Sequence, residues 1–303
     1  MMATKRVVLS ACLVLTLSGT ALAQQLLVLV TNDDGIGAPG IAAVVDALAL
    51  NPNLQVEVFA PATNQSGVSD TFTAPPSTIG VAAGTTATGF PGTAVSGTPA
   101  DAVMYALLVG LPQPPDIVVS GINLGQNIGS DTVEKASGTV GAALTAGRRG
   151  IPAIAASLGV PATDYSAAAR YVANVVENFR AKRRLRRRMA SKNGLDQSLV
   201  LNVNFPTCTT GAVRGVAVVP EAYAQTLAGS IVTSYTITGP GTFLPVLSST
   251  NAFASDCTSS LTKPTTDIEA MNNGFASVTP LNPTLTVNSS IRRFRFLAKI
   301  PFN

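Results

Sequence analysis

Residues 26–61 spell a strand, a helix and a second strand in quick succession, and that order leaves few folds open. LLVLVT (26–31) is an unbroken apolar run of strand length. PGIAAVVDALAL (39–50) puts Pro39 at a first helical position with apolar residues at helical spacing, and QVEVFAP (55–61) alternates. Together they make a βαβ unit, and the pattern repeats. GTPADAVMYALLVG (97–110) reads as a helix with Thr98 as N-cap, Pro99 at its first position and Asp101 in its first turn. DIVVSG (116–121), PAIAASL (152–158) and SLVLNVNF (198–205) are further strands, separated by helical segments around 138–148 and 164–190. The stretch 62–97, rich in Gly, Thr, Ser and Pro, has no period and reads as loops and short hairpins over one end of the sheet. This alternation predicts an α/β class protein with a parallel, doubly wound sheet over residues 24–206. Beyond residue 206 the regularity fades, so 207–303 is expected to form an irregular, β-containing subdomain or arm. Within it TDIEAMNNG (266–274) reads as a brief helix start, and IRRFRFLAKIPFN (291–303) mixes cations and apolar residues at strand-like alternation.

The chain has 303 residues, 46% apolar and 12% charged, which excludes disorder and allows a substantial core. Its first 23 residues stand apart. MMATKR carries two cations, VVLSACLVLTLSGT is a predominantly apolar stretch with no charge, and ALAQQ offers the small-x-small pattern of a signal-peptidase site, which predicts cleavage after Ala23 and export to the periplasm or the medium. No later stretch approaches the roughly 20 apolar residues of a bilayer span. Cys12 leaves with the leader. Cys208 and Cys257 remain, an even pair for which a disulfide and two unlinked buried thiols both stay open.

The formal charge of +4 is local in origin. Without Lys5 and Arg6 the chain keeps 18 basic residues, eight of them in RAKRRLRRRMASK (180–192), so the other ten face 16 acidic ones. That run is either a solvated helix end or a docking patch for polyanions. It has no interleaved aromatics to stack on bases, so no specific nucleic-acid partner is expected.

In parallel sheets of this kind ligands bind outside the carboxyl ends of the strands. Those ends here carry TNDDG (31–35), PATNQSG (61–67) and SGINLGQN (120–127), so Asp33, Asp34, Ser66, Asn123 and Asn127 can converge. Two carboxylates with hydroxyl and amide oxygens suit a hard divalent cation, Mg²⁺ or Mn²⁺, although an Asp-Gly pair is also ordinary turn chemistry. The chain has no histidine, which excludes a Ser-His-Asp triad, histidine phosphatases and histidine-ligated zinc or iron. The turn NDDGIGAPG lacks the dinucleotide fingerprint, and the D-x-D spacing of aspartyl phosphatases falls on Asn32 and Asp34.

Seven ordered segments, LLVLVTNDDGIGAPGIAAVVDAL, VFAPATNQSGVS, SGTPADAVMYAL, PDIVVSGINLGQNIG, SGTVGAALTAGRRGIPAIAASL, LNVNFP and TDIEAMNNGFASVTPL, resemble the SurE family of metal-dependent nucleotidases and acid phosphatases. The resemblance covers roughly residues 26–285. It implies a Rossmann-like core, a C-terminal extension used to form a homodimer or homotetramer, and hydrolysis of nucleoside monophosphates or similar small phosphate esters. Carried over residue by residue, it assigns the metal to Asp33, Asp34, Ser66 and Asn123, and the phosphate to Asn127, Ser137, Gly138 and Thr139. Catalytic work would then fall to Asp33, Asp34 and Asn127, with attack by water and covalent attack by an aspartate both open. SGTVGAALTAG is independently a helix N-terminus, where free N–H groups face an anion. Two differences accompany the likeness. Gly37 stands where bacterial relatives often carry His, and the segment 128–139 is about two residues longer than usual. The competing function class is a non-catalytic exported protein that captures phosphate or a nucleotide.

Overall fold

The computed structural model describes residues 25–130, 133, 136–181, 198–223, 231–248, 255–284 and 291–302. The proposed leader, 1–23, and the basic run beyond Ala181 lie outside the described residues. The first strands are β1 (Leu26–Thr31), β2 (Leu54–Pro61), β3 (Val81–Thr85), β4 (Pro91–Val95), β5 (Ile117–Leu124), β6 (Ala153–Leu158) and β7 (Val200–Phe205). Beyond them come β8 (Cys208–Gly211), β9 (Val216–Val218), β10 (Ile231–Gly239), β11 (Thr242–Ser248), β12 (Ser255–Cys257) and β13 (Ala276–Leu281). Nine of these form one sheet in the order β3-β4-β2-β1-β5-β6-β7-β13-β9. From β4 to β7 every neighbour is parallel; β3 and β13 pair antiparallel with β4 and β7.

The central strands are apolar without alternation because helices cover both faces. α1 (Pro39–Ala49) packs one face, and α2 (Pro99–Tyr105), which continues into a π-helical turn, packs the other. α3 (Gly138–Arg148) joins the α2 layer and α4 (Ser166–Ala181) the α1 layer. β1 divides its side chains accordingly: Leu26, Val28 and Val30 belong to the α1 and α4 core, and Leu29 to the other. Local signals set the helix starts. Thr98 and Asp101 form a reciprocal capping box, with Pro99 inside it. Ser137 caps α3 by accepting from Val140 N at 3.0 Å. Thr266 caps α5 (Asp267–Asn272), the short helix expected there.

The 62–97 region does contain a hairpin, β3–β4, and it extends the main sheet. The C-terminal part joins it too: β13 lies between β7 and β9 and is buried throughout. Cys208 and Cys257 are disulfide-bonded with their Cα atoms 5.7 Å apart, linking β8 to β12 across 49 residues of chain. β10 and β11 form a separate two-stranded sheet.

The strand-like alternation expected over 291–303 is corrected. Ile291–Lys299 is a 3-10 segment in which Phe294 and Leu297, together with Ile300 just beyond it, are buried at intervals of three. It packs back on its own sheet: Tyr171 OH donates to Leu297 O at 3.1 Å, and the ring of Phe302 meets that of Phe205. At the described end of α4, Arg180 forms a two-bond ion pair with Glu177.

Candidate functional site

The connection from β1 leads to β2 on one side, and β5 sits on β1's other side and leads away to β6. That reversal opens a crevice beyond the carboxyl ends of β1 and β5, and Asp33 and Asp34 follow β1 directly into it. Gly35, at φ +100°, lets the chain turn back there, and its Ile36 N–H donates to Pro61 O at 2.8 Å. The loop carrying Ser66 is drawn to the same place. Gln65 N donates to Asp33 O at 2.7 Å, Asn64 Nδ2 lies 3.4 Å from Asp34 Oδ1, and Ser66 itself is exposed. Across α3, Gly141 accommodates the other end of that loop: a Cβ there would lie 2.2 Å from Ser69 O. Arg148 holds Asp70 at 2.5 Å.

Asp33 is nearly enclosed, whereas Asp34 is partly open. Burial pushes the Asp33 carboxyl up to about 6; the Thr139 hydroxyl draws it back and the neighbouring Asp34 charge raises it further. Burial also raises Asp34, opposed by the Leu124 N–H at 3.1 Å. Neither is ion-paired with a cation among the described residues. Asn123, at the end of β5, spends its amide nitrogen on Gly125 O at 2.7 Å, which leaves its carbonyl oxygen as the group an incoming ligand would meet.

The remaining residues assigned from sequence meet at the start of α3. Thr139 Oγ1 donates to Asp33 Oδ1 at 2.6 Å, and its backbone N–H also bears on that carboxylate. Gly138 presses on the same group: a Cβ there would stand 2.8 Å from Asp33 Cβ and 2.9 Å from Oδ2. Because the Thr139 proton goes to Asp33, Thr139 Oγ1 can only accept from Asn127 Nδ2, at 3.4 Å. The other hydrogen of that amide goes to Ser157 Oγ at 2.8 Å. Thr139 therefore bears directly on Asp33, and Asn127 bears on it through Thr139. Sequence reasoning did not single out Asn64, Ser157, Asn202 or Asn204. The last two had a signal, polar residues two apart in the otherwise apolar β7.

Comparison with known proteins decides the family. A SurE protein from Aquifex aeolicus superposes with a TM-score of 0.65 at 29% identity, covering 89% of this chain and 99% of that one. The family model for survival protein SurE matches residues 28–226. The chain belongs to the SurE family. Proteins named 5'-nucleotidase SurE are similar over much of its length: one from Syntrophobacter fumaroxidans is 34% identical, over 86% of this chain and 94% of its own. Another from Desulfatibacillum aliphaticivorans is 38% identical, over 65% of this chain and 72% of its own.

The SurE crevice fits a hard cation by its donors. No cluster of three or more His, Cys, Asp or Glu exists among the described residues, so soft or histidine-rich coordination has no basis there. Two carboxylates drawn together without a counter-charge among the described residues, beside amide and hydroxyl oxygens, form an oxygen-only set of net charge −2 when ionised.

Proposed function

We propose that this SurE protein is a divalent-metal-dependent phosphomonoesterase acting on nucleoside 5'- or 3'-monophosphates, with other small phosphate esters and polyphosphate as further candidates. The observation that carries the reading is the Asp33–Asp34 pair, without an ion-pair partner among the described residues and with Asp33 placed against the N-terminus of α3. The names of its relatives point to the same reaction. Asp33, Asp34, Ser66 and Asn123 would hold Mg²⁺ or Mn²⁺. When bound, the cation supplies Lewis-acid polarisation of a phosphoryl oxygen and acidifies water. Thr139 fixes the Asp33 carboxylate through its hydroxyl. The first N–H groups of α3, at Ser137 and Gly138, offer donors to phosphoryl oxygens as negative charge grows, and Asn127 supports that side of the site. Asp34, the more open carboxylate, would orient the attacking water.

The test is phosphate release by the purified mature protein from nucleoside monophosphates, sugar phosphates and polyphosphate, with and without Mn²⁺. Turnover with metal and none after chelation is expected; retention of a bound nucleotide without turnover would favour a binding protein instead. Labelled water should deliver its oxygen to phosphate in a single turnover without an aspartyl-phosphate. The disulfide and the leader-like N-terminus support export, so secreted material should begin at Gln24. The separate β10–β11 hairpin supports assembly into at least a dimer, and light scattering at micromolar concentration that shows a monomer would refute this.

A further inference from the structure

β7 carries two fully buried asparagines whose side chains grip the backbone of a third. Asn204 Oδ1 accepts from Asn127 N at 2.7 Å, and Asn204 Nδ2 donates to Asn127 O at 3.1 Å. Asn202 Nδ2 donates to the same oxygen at 2.8 Å, and Asn204 Nδ2 also lies 3.2 Å from Asn202 Oδ1, so the pair brace each other. The segment around Asn127 belongs to no strand, yet it is tethered all along. Gly125 N donates to Leu158 O, Gly129 N to Asp267 Oδ2 at 2.8 Å, and Ser130 N to Ala222 O. Asp267 Oδ1 in turn accepts from Ala222 N at 2.7 Å, tying the far end of the segment to α5.

This arrangement is costly to maintain for packing alone. Burying two amides in the middle of a sheet stabilises nothing unless their bonds are met, and apolar residues would fill β7 without that demand. What the pair achieves is a fixed position for Asn127, whose amide leads through Thr139 Oγ1 to Asp33 Oδ1. From strand to carboxylate the path is Asn204, Asn127, Thr139, Asp33, and each member is buried. We infer that Asn202 and Asn204 are positioning residues for the site: they hold Asn127, and through it Thr139, so that the Asp33 carboxylate keeps its orientation toward a bound cation. Partners one step removed from a ligand commonly change metal affinity or activity by about 10–100-fold when lost. Asn204 acts through two intermediates, so a loss near the lower end, about tenfold, is expected. Asn202 shares its acceptor with Asn204, and its loss should cost less.

The inference rests on the reading of Asp33 as a metal ligand. It is tested by titrating Mn²⁺ into metal-free wild type, Asn202→Ala, Asn204→Ala, Asn127→Ala and the Asn127→Ala/Asn204→Ala double variant, with kcat and KM for a nucleoside monophosphate measured alongside. Val203→Ala serves as the control, because it removes buried volume from the same strand without touching Asn127. The expected result is Mn²⁺ affinity falling in the order Asn202→Ala, Asn204→Ala, with Asn204→Ala costing nothing further once Asn127 is Ala. kcat should fall with it while KM changes little, and Val203→Ala should lose stability but keep its Mn²⁺ affinity. Equal Mn²⁺ affinity and kcat in wild type and Asn204→Ala would overturn the inference and leave the functional reading standing. So would a loss in Val203→Ala as large as in Asn204→Ala, which would trace the effect to stability. A wild type that takes up no Mn²⁺ would remove both.

Discussion

Asp33 shows what a buried carboxylate costs and what relieves it. Its folded value of about 6 against an ordinary 3.8 means that folding favours the protonated form. The penalty is therefore absent below about pH 4 and grows as pH rises through 6, to about 3 kcal/mol at neutrality in metal-free protein. Asn keeps the outline and an oxygen for the Thr139 hydroxyl, so Asp33→Asn should raise the unfolding free energy of chelated protein at pH 7.5. The difference should vanish near pH 3.5, and urea titrations at the two pH values measure it directly. Saturating Mn²⁺ should reverse the order, since only the carboxylate pair binds it well. Gly138 gives a second prediction at this scale. A methyl 2.8 Å from Asp33 Cβ has no room, so Gly138→Ala should displace the carboxylate and lower kcat/KM by about 100-fold or more. Circular dichroism should show the fold retained, because the neighbouring turn is already helical.

At the scale of elements, the features legible in the sequence were those decided by neighbours in the chain. The caps at Thr98, Ser137 and Thr266 need only residues three positions away, and β1 and β5 declared themselves through apolar runs ending in polar residues. Asn202 and Asn204 stand out as polar residues in an apolar strand, but their partner was opaque because it lies 75 and 77 residues earlier in the chain. Thr139 was read as a phosphate ligand, and its bond to Asp33 across 106 residues could not be foreseen from a helix-start motif. In IRRFRFLAKIPFN two periods coexist: 294, 296, 300 and 302 share a parity, while 294, 297 and 300 are three apart. Packing against β9, β13 and α4 selects the second. Leu297→Ala should therefore cost about 2–5 kcal/mol, the range for emptying a core site, and not the few tenths expected of an exposed strand. A denaturant midpoint unchanged from wild type would refute the core assignment of this segment.

For the molecule as a whole, one sheet carries both halves of the site. The proposed cation ligands come from the ends of β1 and β5 and the loop after β2, while the braces come from β7 and α5, beyond α4. The expected border near residue 206 marks a change of regularity, yet β9 and β13 extend the sheet beyond it. The reason is again non-local: Ala276–Val278 pairs with Val216–Val218 on one side, and β13 pairs with β7 on the other, registers that no local composition announces. The central claim is that Asp33 and Asp34 share a cation on which phosphate release depends. Its most direct measurement is release of phosphate from a nucleoside 5'-monophosphate against Mn²⁺ concentration, for wild type, Asp33→Asn and Asp34→Asn, with Mn²⁺ binding followed in the same samples. Wild-type turnover should rise with Mn²⁺ occupancy, and either variant should lose both binding and about 100-fold or more of kcat while staying folded. Undiminished turnover in either variant, or wild-type turnover independent of Mn²⁺ and untouched by chelator, would contradict it.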